Sequence, residues 1–118
     1  MKQSDGERLI RMITTWDQVQ KQIVDKQITK EALLSDTFLQ WAITTPLYHI
    51  GEQAYQLSSE LKKRFPNVPW NRIAGLRHRL VHDYEGINWT IIADVVFDEM
   101  DIAMGEIRRI AEEWKDNG

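Results

Sequence analysis

Residues 65–86 read FPNVPWNRIAGLRHRLVHDYEG. They contain the clearest predicted break between two helices in the sequence, followed by the start of a helix. Pro66 and Pro69 interrupt any helix that arrives from the N-terminal side, because proline lacks the backbone N–H that a helix interior uses. Asn67 can cap the helix that follows, and Pro69 is tolerated in its first turn. The sequence therefore predicts a third helix over roughly 69–84 that ends near Gly86.

Apolar residues on both sides of this break recur every three or four positions, which is the period of an amphipathic helix. We predict a first helix over about 5–26 and a short helical connector over 28–36, with Thr29 and Asp36 as caps. A fourth helix is predicted over about 89–114, capped by Asn88.

A second long helix has an apolar side that extends from Leu39 to Leu61. Pro46 lies in its interior and is expected to bend it, and Gly51 would allow a neighbouring helix to approach closely. The whole pattern predicts an all-α fold, a four-helix up-and-down bundle with a short extra helix, in one domain over residues 1–118.

The composition is that of an ordinary globular protein, with 42% hydrophobic and 28% charged residues in 118. There are no cysteines, which excludes disulfides, thiolate metal ligands and cysteine nucleophiles. The N-terminal residues lack the apolar core of a signal peptide, and no apolar run reaches the roughly 20 residues of a membrane span. We therefore expect a soluble, cytoplasmic protein.

The net charge of −3 conceals a basic segment over residues 61–82, which holds six lysines and arginines and no acidic residue. Such a run is most often a solvated helix face. It is also the kind of segment that can hold phosphates in an otherwise acidic chain.

Arg77 falls on the apolar side of the predicted third helix, a side formed by Trp70, Ile73, Ala74, Leu80, Val81 and Tyr84. A charged residue at such a position is costly unless it is paired or faces a cleft. Arg77 and Tyr84, seven residues apart, lie within about 20° of each other around an ideal helix. We therefore treat Arg77 as a candidate site residue.

His78 and His82, at spacing i, i+4, share an adjoining face. Two imidazoles can bind a metal only with a third ligand, for which His49, Asp83 and Glu85 are the candidates, and histidines satisfied by local hydrogen bonds are the commoner case. No metal is predicted. Arg77 and His82 differ by about 140°, so a shared site needs a loosened helix end, a long reach by Arg77, or a second subunit.

The fourth helix carries a second apolar row, Ile91, Val95 and Ile102. A helix that is apolar on more than one face needs more than one neighbour. The row therefore fits either a subunit interface or the central helix of a monomeric bundle.

Arg77, His82 and Tyr84 form the pattern R-x4-H-x-Y, which resembles the motif of the HepT toxins in the HEPN superfamily. The resemblance extends to IGEQA at residues 50–54, to FPNVPW and to HDY, in that order, and it covers nearly the whole chain.

This resemblance implies a homodimer whose motif helices meet at a cleft, and metal-independent, cofactor-free RNA cleavage in which the 2′-hydroxyl attacks its own phosphate. Arg77 would bind the phosphate and His82 would be the general acid or base. Tyr84 would be the tyrosine to which a cognate nucleotidyltransferase antitoxin of the MNT type attaches AMP. His78, Arg79 and Arg72 are further candidates for RNA phosphate contacts, although relatives often have asparagine where His78 stands.

The sequence leaves three candidate functions for this protein. The first is a ribonuclease toxin of a type II/VII-like toxin–antitoxin pair, acting on tRNA or mRNA. The second is a non-catalytic helical partner that binds nucleotide or substrate for a nucleotidyltransferase. The third is a purely structural dimerisation bundle.

Overall fold

The computed structural model describes residues 4–81 and 86–116, and every regular element within these ranges is helical. The all-α fold class is thereby confirmed. The helices are α1 (Asp5–Asp25), α2 (Lys30–Ser35), α3 (Thr37–Gln56), α4 (Ser59–Arg64), α5 (Trp70–Val81), α6 (Trp89–Asp94) and α7 (Met100–Glu113), with a π-helical segment, Val95–Glu99, between the last two.

Side-chain caps fix several helix starts. The predicted caps Thr29, Asp36 and Asn88 each accept a hydrogen bond from the backbone N–H three residues further on, at 3.1, 3.2 and 3.2 Å. Ser4 and Ser58 cap α1 and α4 in the same way. Each cap satisfies a backbone donor that has no partner within its helix.

The second long helix is shorter than predicted, because α3 ends at Gln56 and α4 begins at Ser59. Ser58 caps α4, and its backbone N–H and hydroxyl also donate to the Asp5 carboxylate at 2.9 and 2.5 Å. Leu57 has an extended backbone yet remains buried. Polar contacts therefore stabilise the break between α3 and α4, and the spacing of apolar residues in the sequence does not reveal such contacts.

The prediction of one continuous α-helix for the fourth helix is wrong, because the segment Val95–Glu99 within it is π-helical. A π turn accommodates one extra residue, and here both Val95 and Val96 are buried. Lys30 of α2 contacts Asp94 and Asp98 at 2.7 and 2.5 Å. Polar contacts thus connect this stretch to α2.

The second apolar row of this region is divided between core and surface. Val95 is buried, Ile91 is half-buried, and Ile102 is 75% exposed. Val95 therefore finds its neighbours within the chain, and Ile102 is the member of the row that remains open to a partner.

The core forms where α3 packs against both α1 and α5, and where α1 packs against α7. Trp16 of α1 is almost fully buried, and its indole N–H donates to Asp101 at 3.3 Å. Pro46 lies inside α3, as predicted, and the helix continues past it. None of the described helices is both long and apolar enough to cross a membrane.

The two ends of the described chain meet. The Gly6 N–H donates to the Asp116 carboxylate at 2.9 Å, and this bond, with further hydrogen bonds from side chains, lowers the pKa of Asp116. Arg64 lies over the rings of Phe65 and Trp114, with 5.5 and 5.6 Å to their centroids. The start of α1 is therefore anchored to the segment that follows α7.

Candidate active site

Helix α5 carries the candidate site and has a somewhat different buried face from the one predicted. Leu76, which the prediction left out, is fully buried, and Val81, which it included, is 47% exposed. Arg77 therefore lies at the margin of the buried face, and 32% of its side chain is exposed. A cation at this margin can reach solvent while its stem packs against the core.

Two side chains of α3 hold the Arg77 guanidinium. Its Nη1 lies 3.4 Å from Oε2 of Glu52, and its central carbon lies 3.6 Å from the centroid of the Tyr55 ring. The first contact is an ion pair with a long hydrogen bond, and the second is a cation–π contact. The partner that a cation beside the core requires is therefore supplied by the neighbouring helix.

Gly51 allows α3 and α5 to approach this closely. A Cβ at Gly51 would lie 2.8 Å from the Arg77 backbone nitrogen and 3.0 Å from the Ile73 carbonyl oxygen. The first distance is too short for a real Cβ contact, and the second is tighter than most real Cβ contacts. The expected close approach at Gly51 is confirmed, and it occurs directly beneath Arg77.

The other predicted phosphate contacts do not share a face with Arg77. Arg72 and Arg79 are exposed, lie within about 20° of each other around α5, and are rotated from Arg77 by about 140–160°. Arg72 donates through Nε and Nη2 to the Glu99 carboxylate, the second bond at 2.7 Å, and this pairing raises its pKa. His78 is exposed and about 100° from Arg77.

His82 and Tyr84 lie outside the described residues, as do Asp83 and Glu85. The angle between Arg77 and His82, and the placement of Tyr84 beside Arg77, therefore stay predictions. Among residues 4–81 and 86–116, no group of three histidine, aspartate or glutamate side chains could hold a metal ion.

A groove of about 270 Å³ lies next to the C-terminal end of α5. It is lined by Gln40, Trp41, Thr44, Thr45, Leu80, Ile87 and Trp89. Leu80 and Ile87 are the lining residues nearest in sequence to segment 82–85, on its two sides. Its walls combine two indole rings with hydroxyl and amide groups.

A larger groove of about 510 Å³ lies between α1, α2 and α3. Its walls are mostly apolar, with Val19, Ile23 and Ile43 among them, and it includes none of the predicted site residues. No residue of α5 lines this groove, so we do not include it in the candidate site.

Sequence reasoning missed Glu52 and Tyr55 as site residues. The sequence holds part of the information, because Glu52 lies within the IGEQA stretch that carries the family resemblance, and Tyr55 follows Glu52 by about one helical turn. The sequence does not show how α3 and α5 cross. This crossing brings Glu52 and Tyr55 into contact with Arg77, although they lie 25 and 22 positions before it in the chain.

Comparison with known proteins gives one consistent result. A family model described as "Ribonuclease HepT-like" matches residues 8–112. A protein of Methanocaldococcus jannaschii named "putative RNase" is 36% identical over 92 residues, covering 76% of each chain. Another of that name, from Caldanaerobacter subterraneus subsp. tengcongensis, is 32% identical over 90 residues, covering 76% of this chain and 80% of its own.

A third relative, from Thermococcus cleftensis, is named "probable ribonuclease HepT". It is 26% identical over 85 residues, covering 72% of this chain and 77% of its own. No solved structure matches the chain.

Proposed function

The chain belongs to the HepT-like ribonuclease family, and from this premise we propose that it is a metal-independent endoribonuclease, the toxin of a two-component toxin–antitoxin pair. The observation that supports this most strongly is Arg77, a partly exposed guanidinium held at the edge of a helix crossing. A fixed cation that substrate can reach is what a phosphate site requires.

The proposed reaction needs one cation and proton transfer at two oxygens. The ribose 2′-oxygen forms a bond to the adjacent phosphorus as the bond from phosphorus to the 5′-oxygen breaks, which leaves a 2′,3′-cyclic phosphate and a 5′-hydroxyl. Arg77 stabilises the charge that grows on the phosphate oxygens. One His82 accepts the proton of the attacking 2′-hydroxyl and the second His82 of a dimer donates one to the leaving 5′-oxygen, since imidazole titrates near neutral pH.

We further propose that the protein acts as a homodimer. Phe38 and Trp41 of α3 are 74% and 64% exposed, and Ile102 of α7 is 75% exposed. Large apolar side chains left in water favour burial against a partner. A dimer would also bring a second His82, which would relieve the angular separation of Arg77 and His82 within one helix. A strictly monomeric mass by light scattering at micromolar concentration would contradict this.

Tyr84 is the proposed site of AMP attachment by an MNT-type nucleotidyltransferase antitoxin. AMP on the phenol would add negative charge and bulk seven positions after Arg77 and so compete with the RNA phosphate. Coexpression with such an enzyme should raise the intact mass by one AMP in the wild type and leave Tyr84→Phe unchanged. An equal gain of mass in both proteins would place the modification elsewhere.

The function is tested by RNA cleavage in EDTA. We expect wild type to cleave tRNA or mRNA, and Arg77→Ala and His82→Ala each to lose about 100-fold or more of kcat/KM. Arg109→Ala, which removes an exposed arginine of α7, is the matched control and should cleave like the wild type.

Equal cleavage by wild type and both site variants would show a contaminating nuclease and defeat the proposal. Binding of a nucleotide with no cleavage by any of the proteins would favour the non-catalytic partner of a nucleotidyltransferase instead.

A further inference from the structure

Glu52 and Tyr55 occupy one turn of α3, three positions apart, and both contact the same guanidinium on α5. Resting on the function proposed above, we propose that these two side chains are positioning residues for Arg77. Tyr55 fixes the plane of the guanidinium, and Glu52 fixes its rotation within that plane.

The Tyr55 contact is suited to setting the plane. The guanidinium carbon lies 3.6 Å from the ring centroid, a distance at which a flat cation lies against the ring face. Tyr55 itself is 52% exposed. Its ring therefore contributes little to the hydrophobic core, and its main described partner is Arg77.

The Glu52 contact is suited to selecting one edge of the guanidinium. At 3.4 Å from Nη1 to Oε2, with 32% and 30% of the two side chains exposed, it is a loose ion pair that solvent screens. A single carboxylate oxygen on one terminal nitrogen leaves the geometry of a two-oxygen phosphate contact available at another edge.

Holding Arg77 matters because its side chain is long and flexible. A guanidinium that is already oriented loses less conformational freedom when the transition state forms, so the gain appears in kcat. Glu52 has a second effect, since its negative charge repels RNA phosphates. Glu52 is thus expected to weaken substrate binding while it raises the rate of the chemical step.

This dual effect gives Glu52→Gln a signature that loss of structure would not produce. We expect kcat to fall about 3- to 10-fold while KM is unchanged or lower, because the orienting charge and the repelling charge are lost together. Glu112→Gln, which removes an exposed carboxylate from α7, is the control and should change neither constant.

The Tyr55 variants separate the ring from its hydroxyl. Tyr55→Leu keeps apolar bulk but removes the ring face, and we expect kcat to fall about 5- to 30-fold. Tyr55→Phe keeps the ring and should stay within about twofold of the wild type. Thermal melting of each variant checks that the fold is intact.

A second measurement is independent of cleavage. The ¹⁵N relaxation of the Arg77 Nε–H group, assigned by its absence in Arg77→Lys, reports how rigidly the guanidinium is held. We expect an ordered group in the wild type and in Tyr55→Phe, and a mobile one in Tyr55→Leu and Glu52→Gln.

The outcomes separate the two proposals. Wild-type cleavage that Arg77→Ala abolishes, together with Tyr55→Leu and Glu52→Gln that match the wild type in kcat and in Arg77 order, overturns the positioning role alone. Equal losses in Tyr55→Leu and Tyr55→Phe assign the effect to the hydroxyl and overturn the stacking claim. A raised KM at unchanged kcat in Glu52→Gln overturns its orienting role.

If the wild type fails to cleave but its Arg77 is ordered and the variants release it, the ribonuclease proposal fails and the holding of Arg77 stands. If Arg77 is equally mobile in all of these proteins, the positioning role is overturned whatever the cleavage result.

Discussion

Arg77 differs from the other cations of α5 in what surrounds it. Its guanidinium rests on a ring and beside a single carboxylate, whereas the Arg72 guanidinium donates two hydrogen bonds to Glu99. The paired Glu99 carboxylate offsets the charge of the Arg72 guanidinium, which weakens its attraction for a phosphate. For single residues, the exposure of a cation and the partners that it already has therefore predict phosphate binding better than its charge alone.

Arg79 and Arg72 provide a test of this ranking. RNA affinity, measured by fluorescence anisotropy at several salt concentrations in a His82→Ala background, should depend less on salt in Arg79→Ala, with the slope reduced by about 0.7–1. Arg72→Ala should leave the slope near that of the parent, because Glu99 already neutralises this cation. A larger loss of slope in Arg72→Ala than in Arg79→Ala would contradict the ranking.

Register on α5 was enough to single out Arg77 from the sequence, because a cation among apolar positions needs a partner. It was not enough to identify the partner. Glu52 and Tyr55 reach Arg77 only through the crossing of two helices, and no local pattern encodes that crossing. Arg77 could therefore be singled out from the sequence, whereas the two side chains that contact it required the tertiary structure.

At the scale of elements, the close crossing of α3 and α5 depends on Gly51. Gly51→Ala places a methyl group 2.8 Å from the Arg77 backbone nitrogen, so α5 must move away. We expect a loss of about 1–3 kcal/mol in the free energy of unfolding, measured by urea denaturation, together with reduced RNA cleavage because Arg77 moves with its helix.

Gly75→Ala is the matched control for this change. Gly75 lies on α5, and a Cβ there would meet no atom within 4 Å. Alanine is the better helix former, so a gain of about 0.5–1 kcal/mol is expected. A Gly51→Ala protein as stable as the wild type would show that the crossing is less tight than described.

The helix boundaries show which signals a sequence carries. Thr29, Asp36 and Asn88 were predictable as caps because their side chains bond to backbone groups three residues away. The break at Leu57 was not, because Ala54, Leu57 and Leu61 are all buried and keep the helical period through it. The π segment was hidden likewise, since its valines fit an α-helical apolar row.

At the scale of the whole molecule, the polar residues beside α5 come from distant parts of the chain. Glu52 and Tyr55 belong to α3, Glu99 to the π-helical segment, and Trp89 of the neighbouring groove to α6. The surroundings of α5 therefore depend on the packing of several helices and not on α5 alone. The ribonuclease proposal uses Arg77 from this region, together with His82 and Tyr84 of the sequence motif.

The chemistry of the product ends tests the central claim most directly. RNA incubated with wild-type protein in EDTA should yield fragments with 2′,3′-cyclic phosphate and 5′-hydroxyl ends, and a matched oligonucleotide with 2′-deoxyribose throughout should stay intact. Arg77→Ala should yield neither product at a measurable rate. Fragments with 5′-phosphate ends, or cleavage of the 2′-deoxy substrate, would contradict attack by the 2′-hydroxyl and with it the mechanism proposed for Arg77 and His82.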